Sequence, residues 1–331
     1  MIATLVIATI LSATSTADDA GPTTEGVRAA ISKALPPIVK SVEEYPKHRD
    51  CFSCHHQAVP VFALTTARAR GFDVKPETIA AAVEHTEADL RTELDAYKKG
   101  NGQPGGVTRA GYALFTLEAG GKRPDEVTSA VAFFLRQRNA SGERWRTSSS
   151  RPPSEASDFT STYLALRALA VYGQNEPKVE IAQRVEKARR WLEATSPNDT
   201  EDRVFRLLAL RQSSASHPTI RAAADALLAT QRKDGGWSQL DGGTSDAYAT
   251  GSALVALHTA DIIATDDPRY RRGLRFLIAD QRPDGTWFVH SRSKPFQPYF
   301  ESGFPYGKDQ FISMAASSWS LAALALASPK P

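Results

Sequence analysis

Two kinds of apolar pattern alternate along this chain. The first is amphipathic at helical period: residues 177–194 (PKVEIAQRVEKARRWLEA) place Val179, Ala182, Val185, Ala188 and Leu192 toward one face and charges on the other. The second is apolar or small nearly all round, as in 246–260 (DAYATGSALVALHTA) and 313–327 (SMAASSWSLAALALA). A helix with no polar face has to be buried on every side. Segments of this second kind are predicted near 57–70, 106–119, 158–172, 201–212, 246–260 and 312–327. Pro76, Pro124, Pro177, Pro218 and Pro268 open the amphipathic stretches, where the first turn has no use for the missing N–H. Their separations of 48, 53, 41 and 50 residues mark a repeat with a period near fifty. Pro22 opens a sixth unit, whose first helix has to accommodate Pro36 and Pro37 with a kink.

Amphipathic outer helices alternating with buried inner ones predict an all-α fold, a single (α/α)6 toroid over residues 18–331 with a central cavity. An open solenoid is the rival architecture. Closure is favoured because an open array needs polar capping helices, whereas the last segment is among the most apolar. Residues 139–157, rich in Ser, Pro and Arg, read as an exposed inserted loop.

With 331 residues, 41% of them hydrophobic and 23% charged, collagen-like, coiled-coil and disordered classes are excluded. A net charge of 40 − 37 = +3 without basic runs predicts no nucleic-acid partner. Ile2 to Leu11 (IATLVIATIL) has secretory h-region length, although no Lys or Arg precedes it. Ser15 and Ala17 suit cleavage after Ala17, so residues 1–17 are expected to be a signal peptide and the mature protein to be periplasmic or secreted. No later uncharged run is expected to act as a transmembrane helix.

Two segments carry a family resemblance. Arg272 to Leu277 followed by Gln281-Arg282-Pro283-Asp284-Gly285-Thr286-Trp287 resembles the QW motif of squalene–hopene cyclases and related terpenoid cyclases. Gln231-Arg232-Lys233-Asp234-Gly235-Gly236-Trp237 repeats it 50 residues earlier, Gln137 with Gly142 and Trp145 is a looser copy, and Trp191-Leu192 is a remnant. The chain is thereby similar to the prenyltransferase/squalene–hopene cyclase repeat superfamily, which implies an α/α toroid. The residues CFSCHHQ (51–57), SDAYATGSALVALH (245–258) and QPYFESGFPYGKDQFIS (297–313) are similar to an exported bacterial subgroup of it. Gln231, Trp237, Gln281 and Trp287 are expected to be structural: Gln bonds a frayed helix end, Trp stacks over it and Asp-Gly makes the turn.

The resemblance also implies an acid. Class II cyclases protonate their substrate with an Asp-x-Asp-Asp motif, which the chain lacks, and Asp246 at the start of an inner helix is the nearest candidate, with an N-cap role as its alternative. The late zinc ligands of protein prenyltransferases are also missing. Residues 299–306 are expected to cover the cavity: Tyr299, Phe300, Phe304 and Tyr306 surround Glu301, a second candidate acid or base, and Asp309 precedes the last inner helix. Tyr248 and Trp319 complete the expected ligand-cavity set.

Cys51-x-x-Cys54-His55 has the spacing of covalent haem c attachment, with His55 as axial ligand. A local disulfide, free thiols, or a metal site that includes His55 or His56 remain open alternatives. Three functions follow: binding or transformation of an isoprenoid or other hydrophobic molecule in the cavity, a haem-carrying redox or sensor protein, or a non-catalytic interaction module. Arg109, Arg167, Arg203 and Arg206 on inner helices would suit an acidic substrate.

Overall fold

Proline placement sets the outer layer of the computed structural model, which describes residues 21–138, 142–295 and 298–330. The leader expected over 1–17 lies outside the described residues. Pro76 and Pro268 are the first residues of α3 (Pro76–Arg91) and α12 (Pro268–Asp280), and Pro218 is the second of α10 (His217–Leu228). Pro177 is the N-cap of α8 (Lys178–Ala194), while Pro124 precedes the capping-box residue Asp125 of α6 (Glu126–Gln137). The sixth outer helix, α1 (Thr24–His48), runs through Pro36 and Pro37 as one element.

The buried segments form the inner layer: α2 (Val59–Arg68), α5 (Gly106–Ala119), α7 (Asp158–Tyr172), α9 (Thr200–Gln212), α11 (Ala247–Thr259) and α13 (Gln310–Ala327). One short further helix, α4 (Leu94–Lys98), lies between α3 and α5. Inner helices pack in chain order, and α13 packs against both α11 and α2, so the ring is closed. Among the described residues, β-structure is limited to isolated bridges, Arg151 with Glu155 and Trp237 with Asp246.

The QW residues join the layers. Trp145, Trp237 and Trp287 each donate the indole N–H to a carbonyl ten residues back at the end of the preceding outer helix: Leu135 at 2.6 Å, Leu227 at 3.0 Å and Leu277 at 2.7 Å. Their backbone N–H groups donate to hydroxyls of the following inner helix, Thr162, Thr250 and Ser317. The Gln231 amide donates to Arg269 O in α12 at 2.8 Å, and the Gln281 amide donates to Ala30 O in α1 at 2.9 Å. The indoles thus bond carbonyls at the C-terminal ends of their own outer helices, while the glutamine amides tie each unit to the next outer helix in the ring.

One departure from the sequence reading has a clear cause. The buried face of α8 is Arg184, Ala188, Trp191 and Leu192, and Val179 is 69% exposed. Arg184 turns that face inward because its guanidinium lies 4.2 Å over the Trp145 ring and donates to the carbonyls of Gly142 and Arg138. Residues 307–327, which include α13, are long and apolar enough to cross a membrane, yet an 18-residue window of that stretch is 83% buried within the ring. Its serines are used there: Ser313 and Ser317 accept the N–H groups of Val289 and Trp287. Gly251 lets α11 and α13 approach, since a Cβ at that position would sit 2.7 Å from Ser320 N.

Candidate functional site

The centre of the ring is narrower than the sequence implied. Side chains of Phe62, Tyr112, Phe115, Tyr163, Phe205 and Trp319 converge there and leave a cavity of about 30 Å³. That is room for on the order of one water, against about 300–1,000 Å³ for small-molecule pockets. Large aromatic residues on five inner helices face the axis, with Val255 and Thr259 from α11, so the rings meet; Phe62 lies 5.6 Å from Phe115 and 5.8 Å from Trp319. Trp319 keeps an unpartnered, buried indole N–H at this wall.

One turn above the hollow, toward the N-terminal ends of the inner helices, lies a buried carboxyl. Glu201 is in the first turn of α9 and precedes Phe205 and Leu208 on the same face, both of which line the hollow. Its two oxygens accept from Thr160 Oγ1 at 2.8 Å and from the Tyr248 hydroxyl at 3.1 Å, in the first turns of α7 and α11. Burial pushes its pKa up to about 8; the Thr160 and Tyr248 hydrogen bonds oppose the rise, and the neighbouring charges of Asp199 and Asp202 add to it. A helix N-terminus favours a carboxylate by about 0.3–2 kcal/mol. A displacement of this size corresponds to a few kcal/mol, so burial wins and Glu201 is chiefly a neutral acid at pH 7.

Sequence reasoning passed over Glu201, although a signal was present. Asp199-Thr200-Glu201-Asp202 differs from Asp-x-Asp-Asp by a single methylene at its third position. Asp246, the residue named in its place, is the N-cap of α11: it accepts from Ala249 N at 3.0 Å and from the Gln239 amide at 3.2 Å. Burial raises its pKa too, against those hydrogen bonds.

The aromatic segment does not cover the hollow. Residues 298–309 pack over the junction of α1 and α13, where Ser302 O accepts from Ser41 Oγ and the Gln310 amide donates to Phe300 O. Phe300 stacks under the Arg49 guanidinium at 4.1 Å and against Phe311. Phe304 is buried beside Tyr306, and the Tyr306 hydroxyl meets Thr286 Oγ1 at 2.5 Å. Glu301 is exposed and bonded to the exposed Tyr299, in no position to serve as a shielded acid. Asp309 accepts from Ser291 N. Of the expected cavity set, Trp319 lines the hollow and Tyr248 reaches it through Glu201.

The four inner-helix arginines are also committed internally. Arg109 pairs with Asp89, Arg167 with Glu118 and Arg203 with Asp241, while Arg206 donates to Leu192 O. Arg167 alone of the four lines the hollow, where it is paired with Glu118 and lies 4.9 Å over the Phe115 ring, so the four do not form a basic lining for an acidic substrate.

The CFSCHHQ run opens α2 through a π turn, Cys54–Ala58, whose wider winding is common at functional sites. Gln57 Oε1 accepts Ser53 N at 2.8 Å, closing the turn. His56 is fully buried between Tyr45, stacked at 4.9 Å, and Phe311, with neither ring nitrogen hydrogen-bonded. Burial holds its pKa well below the usual histidine range. Cys51 is exposed, with Sγ 3.7 Å from the Tyr45 hydroxyl, whereas Cys54 is buried; both are free thiols. Cys54 Sγ lies 3.1 Å from His55 Nδ1 and donates to Glu155 Oε1 at 3.0 Å, and His55 Nε2 meets Ser154 Oγ at 3.2 Å. Glu155 and Ser154 come from the segment expected to be an exposed insertion. Instead, Pro153, Ser154 and Ser157 are buried, because the loop folds inward over the start of α2.

These residues do not fit a haem as folded. The two thiols occupy opposite environments, Cys51 at the surface and Cys54 inside. Tyr112 reaches this cluster, its hydroxyl donating to Ser154 O at 3.4 Å. Burial raises the Tyr112 pKa, with further contributions from Glu201, Cys54 and Glu155.

Comparison with known proteins supports the architecture. Residues 200–325 match the squalene-hopene cyclase C-terminal domain family. The squalene–hopene cyclase of Bradyrhizobium diazoefficiens is 36% identical over 112 residues, which cover 30% of this chain and 16% of that protein. A type II terpene cyclase from Scytonema, MstE, in complex with geranylgeranyl dihydroxybenzoate, has a TM-score of 0.56 at 14% identity, covering 92% of this chain and 98% of its own. A protein from Actinoplanes has a TM-score of 0.57 at 14% identity, over 92% of this chain and 100% of its own. In its ring of paired helices the chain shares the fold of these terpene cyclases, and its 200–325 region is similar in sequence to the squalene-hopene cyclase C-terminal domain.

Proposed function

We propose that this protein acts on an isoprenoid-class hydrophobic molecule, with Glu201 as the acid that protonates it. The observation that carries the reading is a carboxyl kept neutral near pH 7 by burial, one turn above an aromatic-lined hollow. Proton transfer from Glu201 to a carbon–carbon double bond would leave a carboxylate and a carbocation. Aromatic faces of Phe62, Phe115, Phe205 and Trp319 would stabilise that cation, at about 0.5–2 kcal/mol each. Transfer of a different proton from the cation to the Glu201 carboxylate would yield an isomer of the substrate and regenerate the acid. The Scytonema neighbour that binds geranylgeranyl dihydroxybenzoate supports the ligand class. Because the hollow measures only about 30 Å³, entry requires Trp319 and its aromatic neighbours to rotate off the axis.

The test is incubation of the purified protein with geranylgeranyl dihydroxybenzoate in D₂O. A cyclised or isomerised product carrying one deuterium, formed by the wild type and lost in Glu201→Gln, is expected. Absence of both binding and product in a folded wild-type protein overturns the reading. Export belongs to the same proposal: protein recovered from the periplasm should have a mass that begins at Asp18, and a full-length mass there overturns cleavage after Ala17.

A further inference from the structure

The cluster at the start of α2 has no part in the acid chemistry above, and its composition points elsewhere. A thiol, an imidazole nitrogen and a carboxylate oxygen from Cys54, His55 and Glu155 all lie within 4.8 Å of one another. Sequence neighbours on an α-helix point about 100° apart, yet here the π turn brings Cys54 Sγ and His55 Nδ1 to 3.1 Å. The third donor arrives from a hundred residues away and is held before any ion is added. Glu155 is bridged to Arg151 along the backbone, ion-paired with the Arg151 guanidinium, and approached by Ser149 Oγ at 3.4 Å. His55 is oriented from behind: with its proton on Nε2 donated to Ser154 Oγ, Nδ1 turns a free lone pair toward Cys54.

We propose that Cys54, His55 and Glu155 form a mononuclear divalent-metal site, suited to zinc, with its fourth position left exchangeable. One sulfur, one nitrogen and one oxygen donor suit a borderline-soft ion, and three protein ligands are the pattern of zinc sites that keep a position for water or substrate. Tetrahedral bonds of about 2.3 Å to sulfur and about 2.0–2.2 Å to nitrogen and oxygen place the donors roughly 3.5 Å apart. The Cys54–His55 and Cys54–Glu155 contacts, at 3.1 and 3.0 Å, therefore need to open by about half an ångström. The ion replaces the proton that Cys54 now shares with Glu155; the thiol becomes a thiolate and that proton leaves to solvent. Cys51, exposed and turned to Tyr45, is outside the set.

The proposal is independent of the Glu201 acid, and the test separates them. Full-length protein is stripped with chelator and titrated with Co²⁺, followed by Zn²⁺. The expected result is one Co²⁺ per chain with a thiolate-to-cobalt charge-transfer band, bleached by Zn²⁺, present unchanged in Cys51→Ser and Glu201→Gln. Cys54→Ser should abolish the band, and Glu155→Gln should weaken affinity by about 100-fold or more. Ser154→Ala, which leaves all three ligands in place, should weaken it by roughly 10–100-fold. Circular dichroism confirms that each variant is folded. No cobalt–thiolate band in the wild type, a band lost in Cys51→Ser but retained in Glu155→Gln, or a covalently held haem absorbance in the exported protein would each overturn it.

Discussion

The side-chain amide of Gln281, just past the last outer helix, donates to the carbonyl of Ala30 in the first outer helix at 2.9 Å. Two residues 251 positions apart thus repeat the bond that Gln231 makes to Arg269 in the next outer helix along the chain. The turn that delivers Gln281 depends on Gly285, at φ +88°, where a Cβ would lie 2.0 Å from Lys33 O. Replacing it with alanine is expected to cost at least about 3 kcal/mol, from left-handed strain plus overlap with unyielding backbone. Gly121 is the control, at φ +82° with nothing within 4 Å of its Cβ; Gly121→Ala should cost only about 1–2 kcal/mol. Equal losses in urea unfolding would mean that the seam between first and last units does not bear on stability.

Trp237 should behave as a structural strut. Trp237→Phe keeps the ring but removes the indole donor to the Leu227 carbonyl, which retains Thr230 N and Oγ1, a loss of roughly 0.5–1.5 kcal/mol. Trp237→Ala, which also opens a cavity, should lose about 3–5 kcal/mol. A Phe variant as stable as wild type in thermal unfolding would show that the indole N–H contributes nothing.

Glu201 makes stability fall as pH rises. Its pKa is about 8 in the folded chain against an ordinary 4.5, so between those values the native state holds a proton that the unfolded state has released. Its favourable contribution is complete below about pH 4.5 and is lost progressively up to about pH 8, amounting to a few kcal/mol. Glu201→Gln cannot ionise and should flatten this slope. Denaturation midpoints from pH 5 to 9 for both proteins check it; parallel profiles would place the titration elsewhere.

Asp246 should show the signature of a cap. Asp246→Asn retains an oxygen for Ala249 N and should be close to neutral, while Asp246→Ala should lose about 0.5–2 kcal/mol. If turnover is found, Asp246→Asn is expected to keep most of it and Glu201→Gln to lose it. The reverse order would return the acid role to Asp246.

Much of the ring was legible along the chain because burial leaves a one-dimensional trace. The segments 106–119 and 158–172 coincide with α5 and α7, since a helix surrounded by protein must be apolar throughout and needs no knowledge of its neighbours. The site was less legible. Glu201 reads as one more polar residue in a helix cap, and only Thr160 and Tyr248, 41 and 47 positions away, reveal it as a desolvated acid.

What the amino-acid order alone determined was helix type and period, through local hydrophobic patterning and proline at the first turns. The tertiary structure alone decided how far the inner side chains reach toward the axis, and hence that the hollow is nearly full. It also decided that residues 298–309 cover the α1–α13 seam and that Glu155 is delivered to Cys54. These are distances between residues far apart in the chain, set by ring closure, and hydrophobic periodicity carries no information about them.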